Sequence, residues 1–213
     1  MKRTGFVLAA VLGWAASAGP LAAQVQWDAP LMVAPGSPSG IGIFLIEPMG
    51  PDLEDVPGVD DDGFGVVGSW RASSAPGVGF RVGLARDPFD EVAALGGIDL
   101  SGTLLAPTEE IPVGFIWAVG AGLSIGDEVL ASFPAAISAG IDVTTEGLFF
   151  RPYVTPRVDL NVWSGPGDEL DLSVAVDLGL DLSIAPEWMI RFAASLGDGE
   201  AIAIGLQFPG VGL

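Results

Sequence analysis

The sequence predicts an all-β protein, an antiparallel transmembrane β-barrel of about ten strands, with eight as the alternative count. Three observations carry that expectation. Segments of alternating apolar and polar residues recur along the chain, and only a strand sends alternate residues to opposite faces. Within those segments the charged residues keep to one face and the large apolar residues to the other. Breaks rich in glycine, proline and aspartate separate the segments, as turns between strands require.

The N-terminus comes first. Lys2 and Arg3 form a positive region, Phe6 to Ala16 is apolar, and Ala16-Ser17-Ala18 or Ala22-Ala23 supplies small residues for cleavage. This is the pattern of a secretory signal peptide, and the apolar run falls short of the ~20 residues a spanning helix needs. Residues 1–23 are therefore expected to be a signal peptide and residues 24–213 the barrel domain. Among 213 residues, 50% are hydrophobic and the mean hydropathy is +0.54, which excludes a disordered chain despite 31 glycines and 17 prolines.

The strands are expected at about 39–47, 63–72, 77–86, 95–105, 112–125, 129–143, 148–163, 170–184, 188–196 and 201–208. Breaks such as Ser74-Ala75-Pro76-Gly77, Gly126-Asp127-Glu128 and Gly197-Asp198-Gly199-Glu200 divide them. Ile111–Ile125 and Val129–Ile141 are uncharged enough to suggest a helical hairpin. Both are too short to span as helices, however, and both contain helix-disfavouring glycine or proline. The clearest strand runs from Leu170 to Ile184. Leu170, Leu172, Val174, Val176, Leu178, Leu180, Leu182 and Ile184 share one face; Asp171, Ser173, Ala175, Asp177, Gly179, Asp181 and Ser183 share the other. At ~3.3 Å per residue and a tilt of ~45°, this strand covers ~35 Å of membrane normal, more than the ~25 Å apolar band of an outer-membrane barrel. The segment before it alternates too, but Pro152 and Pro156 both lack the donor that one neighbouring strand needs. A weakened or bulged seam on one side of that strand follows.

Charge decides which way the faces point. The chain has 27 acids and 8 bases, and beyond Lys2 and Arg3 only six arginines remain, so 27 acids against six bases leave −21. Such a chain does not bind nucleic acid. Arg71, Arg81, Arg151, Arg157 and Arg191 lie opposite the large apolar residues of their strands, together with Asp99, Asp142, Asp159, Asp171, Asp177 and Asp181. Near-balance on one face suits a lumen, where an unpaired buried charge is costly. Across from Val113, Phe115, Trp117 and Val119 stand mostly small residues, including Gly114, Ala118, Gly120 and Gly122, which leave the arginines room. Trp70, Trp163 and Trp188 fall near strand ends, where rings settle at a membrane interface.

Taken with the expected signal peptide, the pattern over residues 39–208 resembles the small outer-membrane β-barrel proteins, the OmpA-like and OmpW-like group. The resemblance is one of pattern. It implies an outer-membrane location in a Gram-negative envelope, contact with membrane lipid, and delivery by the outer-membrane assembly machinery. Members end on a strand closing in an aromatic residue; here Ile204-Gly205-Leu206-Gln207-Phe208 is similar, with five further residues after it.

Enzymatic options are few. Without histidine or cysteine the chain builds neither a Ser-His-Asp arrangement nor a thiol nucleophile. No catalytic residue, cofactor or metal ligand is assigned. Asp52, Glu54, Asp55 and Asp60-Asp61-Asp62 give an acidic loop at about 48–62, without the spacing of a calcium loop, so a solvated loop is expected. With both ends in the periplasm that loop faces the exterior. A barrel of eight to ten strands has an interior that side chains largely fill. The expected role is thus structural or surface-related, with a plugged, charge-paired lumen. A narrow pore for small solutes is the first alternative, and a soluble periplasmic barrel binding an apolar ligand the second.

Overall fold

Each of the ten expected strands has a counterpart, with ends displaced by no more than three residues. The computed structural model describes residues 30–48, 63–72, 76–86, 92–126, 129–164, 169–198 and 200–210; the expected signal peptide and nearly all of the acidic loop lie outside them. The strands are β1 (Gly40–Pro48), β2 (Phe64–Arg71), β3 (Gly77–Arg86), β4 (Val92–Leu105), β5 (Val113–Ile125), β6 (Val129–Ile141), β7 (Val143–Thr145), β8 (Leu148–Ser164), β9 (Glu169–Ala185), β10 (Trp188–Gly197) and β11 (Ala201–Pro209).

All pairings are antiparallel and join chain neighbours, except that β6 pairs with β8 past the short β7 and that β1 closes on β11 from Gly40↔Pro209 to Pro48↔Ala201. The short β7 prolongs β6. Gly140 faces Tyr153 and Val143 faces Phe150 on the same partner strand, so the register is continuous across Asp142. The result is a closed ten-stranded barrel with one extra short strand, and closure removes the sheet edges that would otherwise be left unpaired.

Alternation sets the two surfaces. On β9, Leu170 and Leu172 are more than 60% exposed, whereas Asp177 and Asp181 are fully buried. On β1, Ile41, Ile43 and Leu45 face out while Phe44 and Ile46 are buried inside. The charged pairs lie inside, beside buried apolar clusters, while most large apolar side chains of the strands face outward.

The inward side chains need space, and glycine on the facing strand provides it. Tyr153 lies across from Gly179, where an added Cβ would sit 1.9 Å from its ring. Phe44 lies across from Gly205 in the same way, at 2.2 Å. Aromatic side chains cover the backbone that a glycine leaves bare, which also fixes cross-strand register.

The prolines locate the weak seam. The β8–β9 ladder is unbroken from Phe149↔Ser183 to Trp163↔Glu169. The β6–β8 ladder lapses between Ala136↔Arg157 and Ala139↔Val154, around Pro156, and again beyond Gly140↔Tyr153, at Pro152. Since backbone groups at alternate residues point to the same neighbour, both missing donors face β6. There the Thr155 hydroxyl donates to Ser138 Oγ at 2.7 Å, with both residues buried. Pro134 does the same one strand over: the β5–β6 ladder lapses between Val119↔Ala135 and Gly122↔Ser132.

Candidate functional site: the charged lumen

The inward face of β9 forms the spine of the lumen. Asp181 accepts two hydrogen bonds from Arg191 on β10, at 2.5 and 2.7 Å, and lies 3.5 Å from Arg151 on β8. Arg151 also grips Asp142 at 2.5 and 3.0 Å. Four residues away on β9, Asp177 accepts from Arg157 at 3.1 Å, and Arg157 also pairs with Asp159 and donates to Ser195 at 3.0 Å. Across the barrel, Arg71 on β2 meets Asp99 on β4 at 2.5 Å and donates to Ser101 at 3.0 Å. Arg81 on β3 approaches the same carboxylate at 3.8 Å.

These contacts follow from register. Arg151 stands opposite Asp181 on β9, and so does Arg191 from the other side. The carboxylate is thus flanked by a guanidinium on each neighbouring strand, and the geometry of cross-strand pairs does the rest. The arginine fork matches a carboxylate with two parallel N–H bonds, which lysine cannot do. Arg191 further lies over the Tyr153 ring at 5.9 Å, a favourable placement for a cation.

Ten of the eleven residues expected on the charged face are brought together in this network. Asp171 is not. It shares the face, but it sits exposed near the end of β9, beyond the ion pairs. The described lumen therefore holds Arg71, Arg81, Arg151, Arg157 and Arg191 against Asp99, Asp142, Asp159, Asp177 and Asp181, an equal number of each. Only Asp142, half-exposed at the β6–β7 junction, reaches toward solvent.

Alternation did not reveal a second component, an N-terminal segment inside the barrel. Pro30 to Pro35 are all buried. The Leu31 amide donates to Asp177 Oδ2 at 2.8 Å, and its carbonyl accepts from Arg81 at 2.7 Å. The Met32 carbonyl accepts from Arg191 at 2.7 Å, which also donates to Ser37 Oγ at 2.9 Å. Gln207 on β11 donates to the Pro38 carbonyl at 3.0 Å. Met32 packs on Phe44, Ile46 and Val67, while Leu31 and Val33 pack on Ile116, Ala118 and Ala136. The segment had one sequence signal: Pro30-Leu31-Met32-Val33-Ala34-Pro35 is apolar but does not alternate, and its prolines disfavour a central strand. A space of about 20 Å³ remains between Leu31, Met32, Arg81 and Arg191, enough for one water molecule.

Among the described residues no group of acidic side chains is placed to hold a metal ion, and the acidic loop lies outside them.

Fold and lumen together define the class: a closed antiparallel β-barrel protein with buried charge pairs and an apolar outer wall. No known protein family matches the chain, and no curated protein matches it.

Proposed function

We propose that the protein is an integral outer-membrane β-barrel of the general build of the small OmpA-like and OmpW-like barrels, with a structural or surface role and a closed lumen. The observation that carries this reading is the inverted wall. Large side chains such as Val82, Leu84, Leu170 and Leu172 are more than 60% exposed, while five arginines and four aspartates are charge-paired and mostly buried within. A continuous apolar exterior of this kind is costly in water, and it fits a hydrocarbon solvent. Closure matters as well, since a sheet edge has no partner in lipid.

Orientation follows from the strand ends. Gly40 and Pro209 meet at one rim, so β1 ends and β2 begins at the other, where the acid-rich sequence between them joins the strands. With the termini in the periplasm, that acidic rim faces the exterior, and membrane lipid and the assembly machinery are the expected partners.

The test is reconstitution of the mature chain with phospholipid vesicles. The expected result is flotation with the vesicles, resistance to carbonate extraction, and quenching of outward tryptophans by brominated acyl chains. A chain that stays in the aqueous fraction without detergent, with unquenched tryptophans, sinks the reading.

A further inference from the structure

We propose that residues 30–39 form a releasable plug, and that their withdrawal opens a path for small polar solutes through the barrel. The inference rests on the membrane reading above and adds a gate to it.

The segment closes the lumen without belonging to the wall. Among the described residues it joins no strand ladder; the Ser39 carbonyl accepts from the Gly210 amide at the rim, and side chains of Arg81, Asp177, Arg191 and Gln207 hold the rest of its backbone. These four reach it from β3, β9, β10 and β11, so the segment is bound as a peptide ligand is bound, with its N–H and C=O groups met by buried charged and polar groups. It enters beside Gly40 at one rim and reaches Asp177, the middle residue of β9.

The wall is complete without it. Arg191 keeps Asp181, Arg157 keeps Asp159 and Asp177, Arg151 keeps Asp142, and Arg71 keeps Asp99. Arg81 gives up the Leu31 carbonyl but keeps Asp99 at 3.8 Å, so withdrawal strands no lumen arginine without a carboxylate, and it replaces the segment's backbone with water beside groups that water solvates well. The segment is also held under tension. Met32 has φ +53, the left-handed region that a side chain other than glycine adopts only when its surroundings impose it. The turn behind it, in which the Ser37 amide donates to the Ala34 carbonyl and the Ala34 amide to Ser37 Oγ, lets the piece move as a unit.

The experiment measures KCl conductance in planar bilayers with the mature chain. The chain has no cysteine, so an introduced pair is unique. A variant lacking residues 30–38 is expected to show open probability at least tenfold above the intact chain. In the full chain, V33C/A118C joins two residues of one buried cluster; oxidised, it is expected to be silent, with reduction restoring the intact chain's openings. A deletion variant that floats with vesicles and migrates as a folded barrel on unheated gels, yet conducts no more than the intact chain, overturns the plug and leaves the membrane reading standing. If the deletion variant does not fold, the locked pair decides: equal conductance when oxidised and reduced overturns the gate, because a plug that never leaves is only a structural element. Failure of the intact chain to enter vesicles overturns both.

Discussion

At the scale of single residues, burial separates two aspartates that look alike in the sequence. Asp171 and Asp181 share one face of β9, but Asp181 is fully buried between Arg151 and Arg191 while Asp171 is exposed. Asp181→Ala removes the carboxylate from two buried guanidiniums, and Arg191 loses its bidentate partner. The expected loss is about 3–5 kcal/mol, the penalty for breaking a buried pair from one side. Asp171→Ala is expected to change stability by no more than about 0.5 kcal/mol. Urea unfolding in detergent micelles, followed by tryptophan emission, measures both, and equal effects would contradict the lumen network. The glycines divide similarly. A Cβ at Gly205 would lie 2.3 Å from the Ile43 carbonyl and 2.2 Å from the Phe44 ring, whereas at Gly96 it meets nothing within 4 Å. Gly205→Ala is expected to cost about 1–3 kcal/mol through overpacking, and Gly96→Ala to be tolerated, in the same unfolding assay.

Among the elements, the β6–β8 seam is where the barrel is least tightly sewn. Its ladder lapses at Pro156 and Pro152, whereas β8–β9 is continuous. Thr155→Val removes the donor that bridges the lapse and leaves the buried Ser138 hydroxyl without it, an expected cost of about 1–3 kcal/mol. Backbone amides near Ile137 are expected to exchange with deuterium faster than those along the β8–β9 ladder, since local opening follows the weakest hydrogen bonding. Uniform protection across both ladders would contradict this. The two prolines announce such a seam in the sequence, because each lacks a donor and four residues keep them on one side. Which neighbour would suffer was not legible, since that depends on the pairing phase of β8 between β6 and β9.

For the whole molecule, stability depends on the solvent outside the wall. Leu178 points outward near the middle of β9 and is 46% exposed. Leu178→Arg is expected to cost about 2–4 kcal/mol when the protein folds into phospholipid vesicles, as for a cation on the lipid face near the bilayer midplane. A substitution that proves neutral there would place this face in water. The acids add a second asymmetry. In sequence, Asp52, Glu54, Asp55 and Asp60 to Asp62 follow β1, and Asp87, Asp90 and Glu91 follow β3; both strands end at the rim opposite Gly40 and Pro209. Among the described residues the lumen itself pairs five arginines with five aspartates.

Much of this architecture was legible in the chain because alternation is local. Leu170 to Ile184 sorts its residues by face whatever strand lies beside it, and the same holds for Arg151 and Arg157 against Val154 and Val158. A strand count near ten, approximate strand ends and the charged face follow from such local facts together with the breaks between segments, whereas the choice against eight came from the closed sheet. What only the tertiary structure decided is non-local. The β1–β11 closure, the choice of Asp181 as partner to both Arg151 and Arg191, the exclusion of Asp171, and the entry of Leu31 and Met32 into the lumen all depend on how high each strand stands against its neighbour. A period of two gives the face of a residue but not its height around the barrel, and a segment without a period, such as Pro30 to Pro35, takes its place only where a closed wall offers buried donors and acceptors to its backbone.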